Sequence, residues 1–158
     1  PDETLRTIDA RNAFVMTSLL QEVTRSGTAA RAQATLKRPD IYGKTGTTND
    51  SMDAWFAGWQ KNVVAVVWLG YDQPRKLGDR ETGGGLALPV WIDYMTVALK
   101  GVPVEERAVP AGVLNVGGEW YYDEYAHGSG VSSLGIEEAP APQPDEEERK
   151  SILDLFKR

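Results

Sequence analysis

Lysine, threonine, glycine and threonine follow one another at positions 44–47, directly after Gly43 and ahead of a polar run, Thr48-Asn49-Asp50-Ser51. An extended chain places alternate side chains on one face, so Thr45 and Thr47 offer two hydroxyls to a single carboxylate. Lys44 adds a positive charge close to the same spot, attracting an anion and biasing the protonation of a neighbouring lysine or serine. Gly43 and Gly46 permit close approach of another backbone or a ligand. If the segment lies at a sheet edge, its N–H groups can pair with an extended peptide. One of these N–H groups can donate to a developing oxyanion. The same four residues also suit an ordinary strand end with a turn, so their meaning depends on what surrounds them.

Other chemistries are excluded by composition. The 158 residues include no cysteine, which removes disulfides, cysteine zinc sites and a thiol nucleophile. A single histidine, His127, leaves no basis for a His-ligated metal or a Ser-His-Asp triad. No metal or cofactor is expected. Lys plus Arg number 17 against 23 Asp plus Glu, a net charge of -6, which argues against general nucleic-acid binding. No apolar run approaches the roughly 20 residues that span a bilayer.

The elements that must position the motif follow from periodicity. Asp9 caps a first helix carrying Met16, Leu19, Leu20 and Val23, and Gly27 stops it. Thr28 then caps a short alanine-rich helix ended by Pro39-Asp40. At residue 41 the period changes to two. Residues 41–47 form a strand. In residues 53–60, Trp55, Ala57 and Trp59 share one face and Phe56 and Gly58 the other. Residues 62–71 are apolar on both faces and read as a buried central strand. The short Gln60-Lys61-Asn62 link makes a hairpin, so three consecutive antiparallel strands are expected. Gly83-Gly84-Gly85 marks a tight backbone passage, not a phosphate cradle. A helix over 86–100 follows, with Pro89 in its first turn and Leu88, Trp91, Ile92, Met95, Ala98 and Leu99 as its apolar stripe. Three regions result: 1–101 with the motif, 102–136 as a glycine-rich extension holding a small hairpin at Trp120-Tyr121-Tyr122, and 137–158 as an acidic proline-rich tail.

Six segments in this order carry a wider resemblance: Met16-Thr17-Ser18-Leu19-Leu20-Gln21-Glu22-Val23, Ser26-Gly27-Thr28-Ala29-Ala30-Arg31-Ala32, Gly43-Lys44-Thr45-Gly46-Thr47-Thr48, Asp53-Ala54-Trp55-Phe56-Ala57-Gly58-Trp59, Val66-Val67-Trp68-Leu69-Gly70-Tyr71-Asp72 and Gly84-Gly85-Leu86-Ala87-Leu88-Pro89-Val90-Trp91. The series resembles the transpeptidase domain of class A, bifunctional penicillin-binding proteins. The resemblance implies an α/β (α+β) fold, an antiparallel sheet flanked by helices, of which this chain is the C-terminal portion. It implies a serine D,D-transpeptidase that cross-links peptidoglycan stem peptides and is acylated by β-lactams. Lys44 would support proton transfer and anion binding. Thr45, Gly46 and Thr47 would line the substrate or β-lactam site, and the N–H of Thr47 would serve the oxyanion hole. Such proteins also carry a glycosyltransferase domain and a membrane anchor and work on the periplasmic face of the inner membrane.

The family's other two motifs, S-x-x-K and S-x-N, do not occur in this chain, and neither does a G-x-S-x-G elbow. The nucleophilic serine must then come from an N-terminal partner segment, and Pro1 reads as a cut point. A large apolar interface with that segment is expected. Two other functions share these residues: a related D,D-carboxypeptidase or serine β-lactamase, and a non-catalytic peptide-binding or assembly module using its edge strand. Trp55, Phe56, Trp59, Tyr71 and Trp91 read as core. Asp53 reads as a turn or cap residue, and Arg6, Arg11, Arg25 and Arg31 as solvated helix faces. Thr48 reads equally as a ligand contact or a turn hydroxyl, His127 as a loop residue without a catalytic role, and the tail as a soluble spacer.

Overall fold

The sheet is a three-stranded antiparallel meander, β1 (Tyr42–Thr47), β2 (Ala54–Gln60) and β3 (Val63–Leu69), ordered β1-β2-β3. We describe it from a computed structural model, which covers residues 7–79 and 81–126. Register pairs Gly43 with Gly58, Thr45 with Phe56 and Thr47 with Ala54 across β1 and β2. Trp55 stands opposite Trp68, and Trp59 opposite Val64, across β2 and β3. With a side-chain period of two, one face carries Thr45, Thr47, Ala54 and Phe56, and the other carries Tyr42, Lys44, Trp55, Ala57, Val66 and Trp68.

The first face is the core. Ala54 and Phe56 are fully buried there, and α3 (Leu88–Ala98) packs over them through Leu88, Trp91, Ile92 and Met95. The Trp91 ring meets Phe56 edge-on at 4.9 Å, and its indole N–H donates to the Ala65 carbonyl at 3.0 Å. Gly43 and Gly58 make room for these rings. A Cβ on Gly43 would lie 2.7 Å from the Phe56 ring, and one on Gly58 would lie 2.7 Å from Phe56 and 2.8 Å from Trp91. Truncating a ring packed this way costs about 3–5 kcal/mol.

The second face departs from the sequence reading. Trp55, Val64, Val66 and Trp68 are all exposed, Val64 most of all at 75%. Both faces of β3 are apolar, yet among the described residues only β2 pairs with it. Of the five aromatics expected in the core, Phe56 and Trp91 lie there, Trp59 is half-buried, and Trp55 and Tyr71 are exposed. Tyr71 instead sits beneath the Arg75 guanidinium, 3.8 Å from its ring centre.

Helix α1 (Ala10–Arg25) begins as expected, with the Asp9 carboxylate accepting from the Arg11 N–H at 2.8 Å and the Asn12 N–H at 3.4 Å. It buries Phe14 and Thr24 and leaves Met16 and Leu19 exposed. Helix α2 (Arg31–Leu36) places Ala32 in the core but has no side-chain cap, so the Thr28 hydroxyl is free for another partner. The glycine run does more than pass tightly: Gly83–Ala87 forms a π-helical turn, capped by Thr82, that leads into α3. Beyond α3 the expected hairpin is present as β4 (Val113–Val116) and β5 (Glu119–Tyr122). Trp120 meets Phe14 of α1 edge-on at 4.9 Å. Arg11, expected in solvent, bonds Glu124 at 2.9 Å and lies over the Tyr122 ring. The expectations for Arg6, His127 and residues 137–158 fall outside the described residues.

A buried polar knot holds the start of β1. Arg38 donates through Nε and Nη2 to the two oxygens of Asp40, each at 2.7 Å. Asp40 also accepts from Gln60 Nε2 at 2.9 Å and from the Glu105 N–H at 3.2 Å. Arg38 spends its remaining donors on the carbonyls of Val102 and Pro103, both at 3.1 Å. The segment after α3 is thereby tied to the sheet.

Candidate functional site

The residues singled out by sequence lie at the far end of β1 from that knot. β1 is an edge strand of the sheet, so its outer side is unpaired among the described residues. Antiparallel pairing alternates inward and outward backbone groups. The Thr48 N–H donates inward to the Asp53 carbonyl at 3.2 Å. One residue earlier, the N–H of Thr47 therefore faces off the free edge. The Thr45 carbonyl faces out in the same way and accepts from the Lys44 ammonium at 2.9 Å. Lys44 is rooted on the opposite face of β1 from the two threonines, but its flexible stem brings its charge back to their backbone.

The two hydroxyls share one face, as their spacing requires, and each has a partner behind it. Thr47 Oγ1 accepts from the Gly83 N–H at 3.0 Å. Thr45 Oγ1 lies 2.9 Å from Thr28 Oγ1, which projects from the turn between α1 and α2. Gly83 is packed so tightly on Gly46 that an added Cβ would stand 2.5 Å from the Gly46 carbonyl and 2.3 Å from that of Trp55. Thr28, Gly46, Gly83 and Gly84 thus form the floor on which the two hydroxyls stand. Sequence reading treated Thr28 as a helix cap and did not find this role. Its hydroxyl partner is 17 residues away, and no local pattern signals it. The glycine run was the available hint for close backbone approach.

The turn after the motif is also fixed. Asp53 donates its N–H to Thr48 Oγ1 at 2.8 Å and accepts from the Trp68 indole N–H at 2.8 Å. Asp53 is the turn residue that sequence predicted, and Thr48 serves this turn. Asp50 and Ser51, in the same turn, adopt positive φ values of 60° and 52°.

A separate cleft of about 770 Å³ opens at the other end of β1, between Phe14, Tyr42, Trp59 and residues 105–110. Arg107 spans it, 4.4 Å from the Phe14 ring centre and 5.2 Å from that of Tyr42. Burial pulls the Arg107 guanidinium below its usual pKa and pushes the Tyr42 phenol above its own. None of Lys44, Thr45, Gly46 or Thr47 lines this cleft. Among the described residues no cluster of acidic or histidine side chains is arranged to hold a metal. No described helix is long and apolar enough to cross a membrane.

With this geometry in view, comparison with known proteins is informative. No family model matches the chain. It is 53% identical over 116 residues to penicillin-binding protein 1A of Pseudomonas aeruginosa, covering 73% of this chain and 14% of that protein. Against penicillin-binding protein 1A of Neisseria flavescens it is 46% identical over 146 residues, covering 92% of this chain and 18% of the relative. Against that of Neisseria cinerea the figures are 44% over 151 residues, 94% and 19%. The chain therefore spans less than a fifth of the length of these curated relatives. The crystal structure of penicillin-binding protein 1A from Haemophilus influenzae superposes with a TM-score of 0.65 at 38% identity, over 69% of this chain and 18% of that one. Sequence and fold agree: the chain is homologous to a segment of penicillin-binding protein 1A.

Proposed function

We propose that this segment provides the substrate-anchoring edge of a serine D,D-transpeptidase that cross-links peptidoglycan stem peptides at the periplasmic face of the inner membrane. The observation that carries the reading is the end of β1. Two hydroxyls on one face, a lysine ammonium and an outward N–H converge on a free sheet edge, in a chain homologous to penicillin-binding protein 1A.

The chemistry follows from what each group can do. A stem peptide ending in D-Ala-D-Ala lies along β1 as an added strand. Its terminal carboxylate accepts from Thr45 and Thr47, and Lys44 supplies charge beside it. A serine from an N-terminal segment with the S-x-x-K and S-x-N motifs attacks the penultimate carbonyl. The tetrahedral oxyanion then accepts from the Thr47 N–H, a type of contact worth about 2.7–4 kcal/mol of barrier lowering. The C–N bond breaks, the terminal D-Ala leaves with a proton on its amine, and an acyl-serine remains. The amine of a second stem peptide takes the acyl group and restores the serine. A β-lactam presents a carboxylate and a strained amide to the same groups and leaves the serine acylated. A D,D-carboxypeptidase or β-lactamase differs only in using water as acceptor.

The test is covalent labelling with a fluorescent penicillin. The chain alone, without a serine–lysine partner segment, stays unlabelled, and the assembled protein becomes labelled. Lys44→Ala in the assembled protein slows labelling by about 10²-fold or more. Robust labelling of the isolated chain would sink the proposal. Labelling that is unaffected by Lys44→Ala while peptide binding changes would favour a non-catalytic module, the reading that the free edge of β1 also permits.

A further inference from the structure

We propose that Thr28 is a positioning residue for the anion-binding hydroxyls, donating its proton to Thr45 so that Thr45 offers its own proton to the substrate carboxylate; this rests on the transpeptidase reading above. A hydroxyl carries one donor and two acceptor sites. For Thr47 the direction is settled by the partner. The Gly83 N–H can only donate, so Thr47 Oγ1 accepts from behind at 3.0 Å and its single proton remains for a group in front. Thr45 stands two residues earlier on the same face and must do the same work. Its rear partner is Thr28 Oγ1 at 2.9 Å. With Thr28 as donor, both threonines are supported from the floor and both present protons toward the edge. Donation in the other sense would spend the Thr45 proton on Thr28 and leave a lone pair facing the carboxylate, which repels it.

Thr28 is held for this task from several directions. Ala29, next to it, is fully buried in the core and donates its N–H to the Val23 carbonyl at 3.0 Å, closing the turn after α1. A Cβ on Gly84 would lie 3.1 Å from the Thr28 carbonyl, so the glycine turn presses against the backbone of Thr28. Thr28 is nevertheless exposed and lies outside the core. It makes no capping bond to α2, the use its place in sequence predicts. A chain of support therefore runs from the α1–α2 turn, through Thr28, to the hydroxyl that meets the ligand.

The experiment compares two acylating probes on the assembled transpeptidase: a penicillin with its free carboxylate and the same penicillin as its methyl ester. The wild-type protein reacts faster with the acid. Thr28→Val keeps the shape and removes the donor. It lowers the acylation rate by the acid about 5- to 10-fold, in line with one lost hydrogen bond to a charged-ligand partner, and leaves the ester rate within about twofold. Thr28→Ser restores the acid rate. An equal fall for acid and ester, or no fall for the acid, overturns the role of Thr28. A wild-type protein that reacts equally with both probes overturns the anion-binding reading, and the role of Thr28 with it.

Discussion

The two ends of β1 are built on opposite principles. At its start, every polar group is satisfied within the protein. Asp40 meets Arg38, Gln60 and the Glu105 N–H, and the guanidinium of Arg38 reaches two further carbonyls. At its finish, hydroxyls, an ammonium and an N–H stand at an edge with partners behind them and none of the described residues in front. The first end is dry: Arg38 is 8% exposed and Asp40 2%. The second is wet. The contrast shows how one six-residue strand holds its position while leaving the polar groups at its far end available. Both ends are braced, the first by a closed polar knot and the second from behind by the glycine turn and Thr28.

The largest effect expected from this contrast comes from breaking the closed end. Asp40→Ala leaves a buried guanidinium, an amide and an N–H without their acceptor and destabilises the folded protein by about 3–5 kcal/mol, read as a lower midpoint in urea. Acid acts on the same group more gently. Burial alone would raise the Asp40 carboxyl, but the bonds from Arg38, Gln60 and Glu105 outweigh it and hold it below the ordinary 3.8. Its contribution is therefore complete above pH 3.8 and is lost as pH falls through the lower folded value. Relative to wild type, Asp40→Asn loses less stability as the pH falls below the ordinary carboxylate range. The smallest effect belongs to the open end. Lys44→Ala, the substitution proposed above to slow labelling, changes the unfolding free energy by no more than about 0.5 kcal/mol. A large stability loss for Lys44→Ala, or none for Asp40→Ala, would erase the distinction between the two ends.

How much of this was legible beforehand depended on whether the deciding partner was local. Alternation in residues 53–60 placed Phe56 and Trp55 on opposite faces, because a strand's period is a property of a few adjacent residues. The Asp9 cap, the β2–β3 hairpin and the hairpin at Trp120 were readable for the same reason. Asp40 was read only as part of a Pro-Asp stop, since its partners Gln60 and Glu105 lie far along the chain. Thr28 was misread as a cap because its hydroxyl is taken by a strand, not by its own helix. The composition of β3 reports that it suits burial, not what buries it. The four motif residues stand out in the sequence by type and spacing, and their proposed role draws also on the six-segment resemblance. The sheet edge that gives them access, and the glycine floor that aims them, exist only in three dimensions.

The exposed tryptophan face has a practical consequence for anyone handling this segment in isolation. Trp55 and Trp68, 5.9 Å apart between ring centres, stand beside Val64 and Val66 on a meander whose two rims are both open among the described residues. Sticky plates with open rims recruit copies of themselves. Solubility, more than folding, then sets the working concentration, and a lysine at position 64 or 66 is the first remedy to try.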